Sequence, residues 1–160
     1  MAERFTIYAG EPVAGILTGY EDNRSGRINQ VAADYRILIR EATPEFEAAE
    51  WQAIADVLNG SFVADEAGLK LIWASIADSA ADGIGKKWGV DVEVLAQRVR
   101  ALKLPQLIAL REVMARFWDS ADGSTDSADL LRQCGAKVTP KIPDDDGEYL
   151  SRVSDQLRGK

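Results

Sequence analysis

Arg4-Phe5-Thr6-Ile7-Tyr8-Ala9 alternates without a break. Phe5 and Ile7 fall on one side of an extended chain; Arg4, Thr6 and Tyr8 fall on the other. Period-two alternation built from β-branched and aromatic residues predicts a short strand, and Gly10 ends it. A lone strand leaves its whole backbone edge without hydrogen bonds, so the reading of its neighbourhood depends on what pairs with it.

Beyond Gly10 the period changes. Pro12 suits a first helical position, where no amide is wasted. Val13, Ile16, Leu17 and Tyr20 then recur at helical spacing, one face of a short helix. Glu21-Asp22-Asn23 reads as a turn. Ser25 is the expected cap of a longer helix, whose stripe is Ile28, Val31, Ala32, Tyr35, Leu38, Ile39 and Ala42. Thr43-Pro44 is expected to stop it and to open the next helix, Thr43 as cap and Pro44 in the first turn.

Up to Ser120 only helical patterns follow. One helix is expected to carry Phe46, Ala49, Ala53, Ile54, Val57 and Leu58, ending at Asn59-Gly60. A second runs from about Asp65 to Ala80 with Leu69, Ile72, Trp73, Ile76 and Ala77 inward. A glycine-broken piece spans Gly83 to Gly89. Asp91 caps a helix with Val92, Leu95, Ala96, Val99 and Leu102, and Pro105 starts another with Leu107, Leu110, Met114, Phe117 and Trp118. All four tryptophans lie in this stretch, as expected of a helical domain resting on aromatics. Residues 120–126 have linker composition, 127–134 have room for a turn or two of helix, and 135–148 read as irregular. Tyr149, Leu150, Val153 and Leu157 return to helical spacing. The expected division is therefore 1–43, 44–120 and a linker with a loose tail over 121–160.

Composition bounds the function. The chain has 160 residues, 46% of them apolar and 28% charged, with 19 Lys+Arg against 26 Asp+Glu and a net charge of -7. That is enough apolar material for a core, and too acidic for coating nucleic acid by bulk charge; a local basic face stays open. One cysteine, Cys134, excludes an internal disulfide framework. The chain has no histidine, which removes His-based triads and most zinc sites. No apolar run approaches the roughly 20 residues that span a bilayer, and the first residues lack a signal layout, so a cytoplasmic protein is expected. Phosphate-binding glycine loops are absent. Asp144-Asp145-Asp146 lacks the spacing of a calcium loop. No catalytic residue, metal ligand or cofactor site stands out, and no enzyme is expected.

A module of about 42 residues with one strand and two amphipathic helices is too small to bury its own faces. Pairing two copies solves both problems: the strands zip antiparallel across a two-fold axis, Phe5, Ile7, Ile28 and Tyr35 enter a shared core, and Arg4, Thr6 and Tyr8 stay on the outer face of a ribbon that fits the major groove. Arg4-Phe5-Thr6-Ile7-Tyr8, a helix, Asn23-Arg24-Ser25, and a longer helix from Gly26 to Ala42 together resemble the ribbon-helix-helix family of DNA-binding dimers, the Arc and MetJ type. The resemblance covers about residues 3–42. It implies a mainly α fold, with a dimeric ribbon-helix-helix head before an all-helical domain, and a homodimeric, sequence-specific transcriptional regulator, often a repressor, of a kind found on plasmids and phages. The base readers it implies are Arg4, Thr6 and Tyr8; the phosphate clamp is Asn23, Arg24, Ser25, Gly26 and Arg27. The chemistry agrees: Arg4 can bind guanine through two bonds, and the amides of Ser25, Gly26 and Arg27 would sit at a helix N-terminus.

Two other readings remain. Gly85 to Leu95 has the rhythm of a helix-turn-helix, but Gly83 and Gly85 interrupt the first helix and Arg98 stands where an apolar residue belongs, so a tight helix junction is expected. Its second helix would expose Glu93, Gln97, Arg98 and Arg100. A ribbon-helix-helix head with a loose tail is also an antitoxin layout. The alternative function is therefore an acidic protein–protein interaction factor, antitoxin-like or a phage inhibitor, which uses its head only to dimerise and meets a protein partner through the helical domain or tail.

Overall fold

The computed structural model describes residues 11–58, 66–120 and 128–140. The predicted strand, Arg4 to Ala9, and the helical spacing beyond Tyr149 lie outside the described residues. The described chain is mainly helical and divides into two compact units, Met1–Ala42 and Thr43–Lys160.

In the first unit, α1 is Glu11–Leu17 and α2 is Arg24–Ala42, joined through Gly19 (φ +80°) and a 3-10 turn at Glu21–Asn23. Both helices follow the expected stripes, and they pack on each other. Ile39 is buried; Val13, Leu17, Ile28 and Val31 are half-buried.

The second unit opens with a strand instead of a helix. β1 is Glu45–Glu47, and α3, Ala48–Leu58, starts after it. Pro44 disfavours helical backbone at Thr43. The helix-start signal lies three residues further on, where the Glu50 carboxylate accepts the Glu47 amide at 2.8 Å, the backward half of a capping box. Phe46 is thus not a helix residue. It stands on β1, 1% exposed, edge-on to Trp51 at 5.3 Å.

α4 (Glu66–Asp78) buries Leu69, Ile72 and Ile76 and packs mainly on α6 (Val92–Arg100) and α7 (Leu104–Ser120). Between α4 and α6 lies α5, Ile84–Trp88. Asp91 caps α6 by accepting the Val94 amide at 3.0 Å, as its position predicts. α8, Ala128–Gln133, ends in a Schellman turn: the Ala136 amide reaches the Leu131 carbonyl, the Gly135 amide reaches that of Arg132, and Gly135 takes φ +96°.

That turn aims the next residues along β1. The irregular course expected over 135–148 is overturned at Lys137–Thr139, which forms β2, parallel to β1, with Phe46 opposite Val138. The Trp51 indole N–H donates to the Lys137 carbonyl at 3.2 Å. Leu131, Cys134 and Ala136 join the core that holds Trp51, Ile54, Leu110 and Met114, so the described part of the expected linker and tail is core structure. Alternation over three residues is too short to read as a strand beside Pro140.

Candidate nucleic-acid interface

Arg4, Thr6 and Tyr8, the expected base readers, and Phe5 and Ile7, expected in the dimer core, lie outside the described residues. The expected phosphate clamp is described in full, at the first turn of α2.

Asn23, not Ser25, caps this helix. Its Oδ1 accepts the Gly26 amide at 3.1 Å, and the backbone there is so close that a Cβ on Gly26 would stand 2.4 Å from Asn23 Oδ1. The amide of Gly26, expected to be open to a phosphate, is therefore already engaged. Arg24 and Ser25 are exposed. Arg27 is half-buried and held on three sides: its guanidinium carbon lies 4.7 Å from the centre of the Tyr20 ring, Nη1 donates to Gln30 Oε1 at 3.2 Å, and Nε is buried with no hydrogen-bond partner among the described residues. The helix dipole adds positive potential at the same turn. Two cations at a helix start suit an anion of the phosphate type.

Of the expected dimer-core residues, Ile28 is half-buried and Tyr35 is 40% exposed. Leu38, on the same stripe, is 66% exposed, and Ile16 and Tyr20 are also exposed. Ile37, opposite the stripe, is 51% exposed.

In the second unit the charges are mostly committed to the fold. Arg98 donates to the Glu50 carboxylate and to the Glu45 carbonyl, and covers the Phe46 ring at 4.8 Å. This explains the polar residue at an apolar position: its stem and charge pin β1 to α6, through partners too far along the chain for any local pattern to reveal. Arg100 lies over Trp73 at 4.7 Å. Asp56 accepts from Lys87 Nζ at 2.5 Å and from the Trp88 indole at 2.8 Å, joining α3 to α5. The α5–α6 junction is tight. Gly89 takes φ +67°, the Val90 amide donates to the Gly85 carbonyl at 3.0 Å, and a Cβ on Gly85 would stand 2.8 Å from the Val90 carbonyl oxygen.

Cys134 is 3% exposed. Burial pushes its thiol pKa up, outweighing a hydrogen bond with Ser120 and the Arg116 charge, both of which pull it down. The thiolate needed for nucleophilic chemistry is disfavoured there. Among the described residues no three His, Cys, Asp or Glu side chains gather as a metal site, and no helix is long and apolar enough to cross a membrane.

The chain matches no protein-family model, no curated protein and no solved structure.

Proposed function

We propose that the chain is a sequence-specific DNA-binding regulator of the repressor type, acting as a homodimer through residues 1–43. One observation carries the reading. In the first unit, Tyr35, Leu38 and Ile16 stay 40%, 66% and 39% exposed on the apolar stripes of α1 and α2, while the core cluster of the protein takes no member from residues 11–42. Helices patterned for burial but left open need a partner, and a second copy supplies a self-complementary one. The strand expected at residues 4–9 then pairs with its twin. Arg4, Thr6 and Tyr8 read base edges from the groove, and the first turn of α2 rests on the backbone through Arg24, Ser25 and Arg27.

Fluorescence anisotropy with DNA flanking the coding sequence tests the reading. Tight binding to a short, near-palindromic site is expected, with affinity falling steeply as salt rises. Arg4→Ala should cost about 1–3 kcal/mol and relax base preference, and Arg24→Ala should weaken all sequences alike. A dimer that binds no DNA at low salt would instead favour the protein–protein factor, which the net charge of -7 also suits.

A further inference from the structure

We infer that Tyr20 is a positioning residue for phosphate contact: it fixes Arg27 as a pre-formed clamp for one phosphodiester of the DNA backbone. The inference rests on the DNA-binding reading above and adds a residue to its site. Tyr20 precedes the 3-10 turn and Arg27 lies in the first turn of α2, so the ring and the guanidinium meet across the bend between the two helices. Two contacts hold the guanidinium. The Tyr20 ring lies 4.7 Å from its carbon, and Gln30, one turn along α2, takes Nη1 at 3.2 Å.

Neither contact neutralises the charge. No carboxylate pairs with Arg27 among the described residues, where the salt bridges involve other cations. Nε is buried without a partner. A half-buried cation with an unused donor, held in place by a ring and an amide, retains its capacity for an anion. Its planar fork suits the two oxygens of a phosphate. Holding such a side chain in one pose removes much of the rotamer entropy that binding would otherwise cost. Asn23 already takes the Gly26 amide, which leaves more of the phosphate contact to the side chains.

The test is binding of the full-length protein to duplex DNA by anisotropy across a range of salt concentrations, with dimer content checked for each variant. Arg27→Ala should weaken binding to every sequence and lower the slope of log affinity against log salt by about 0.9, the value of one phosphate contact. Tyr20→Ala should weaken binding about two- to fivefold, the size of an exposed cation–π contact, yet keep the wild-type slope, because the charge remains and only its position is lost. Tyr20→Phe retains the ring and should restore most of that affinity. A Tyr20→Phe chain as weak as Tyr20→Ala overturns the positioning role. An Arg27→Ala chain with wild-type affinity and slope overturns the clamp. Absence of DNA binding by the wild-type dimer removes both this inference and the reading beneath it, whereas wild-type binding with an unchanged Arg27→Ala chain removes this inference alone.

Discussion

Residues 43–140 bury Trp51, Ile54, Ile72, Leu110 and Met114 almost completely, whereas among the described side chains of residues 11–42 only Ile39 is buried and Leu38 remains 66% exposed. The stripes look alike in sequence. Ile28, Val31, Tyr35 and Leu38 are spaced as regularly as Leu69, Ile72 and Ile76. Periodicity tells that a face must be covered, and it is silent on whether the cover comes from the same molecule. In the second unit neighbouring helices, two short strands and the Schellman turn at Gly135 supply it. The first unit has two helices and one bend, and our account assigns its cover to a second copy.

The largest expected difference comes from truncating one core residue on each side. Trp51→Ala removes a fully buried ring and its bond to Lys137, and should cost about 3–5 kcal/mol in chemical denaturation of the second unit. Leu38→Glu should leave that transition in place and abolish dimerisation in sedimentation, since it puts a charge where the account buries an apolar side chain worth about 1.5–3 kcal/mol per copy. If Leu38→Glu instead lowers the main unfolding transition as Trp51→Ala does, the units do not differ in the way described.

A smaller effect is expected where Arg98 pins β1. Arg98→Ala strips a 2.9 Å bond from the Glu45 carbonyl and leaves the Glu50 carboxylate, 11% exposed, without its partner. The Arg98 side chain is 43% exposed, so solvent screens the pair. A loss of about 1–2 kcal/mol is expected in denaturation, with faster hydrogen exchange at Glu45–Glu47. Unchanged exchange there would show that the strand pairing with β2 suffices alone. The smallest effect belongs to the cap of α2. Asn23→Ala should cost about 1 kcal/mol, read as reduced helicity of the first unit by circular dichroism; no loss would mean that Ser25 or water takes over the Gly26 amide.

Much of the helical domain was legible because its signals are local. Asp91 before Val92, Pro105 in the first turn of α7, and the 69–72–76 stripe each announce a helix within a few residues. β1 and β2 were not legible. They are three residues long and 92 positions apart in register, as Glu45 pairs with Lys137 (137 − 45 = 92), and Phe46 fits a helical pattern as well as an extended one. Arg98 was misleading for the same reason: its partners, Glu45, Phe46 and Glu50, lie on distant elements. At the candidate site the helix start was readable, but the choice of cap was not. Asn23 and Ser25 are both good caps, and the side chain of Asn23 fits against α2 only because Gly26 lacks a Cβ.

The most direct test of the central claim is sedimentation equilibrium of the full-length wild-type and Leu38→Glu proteins over micromolar concentrations. The account predicts twice the chain mass for the wild type and the chain mass for Leu38→Glu, with the second unit folded in both. A wild type that remains monomeric throughout that range would contradict it.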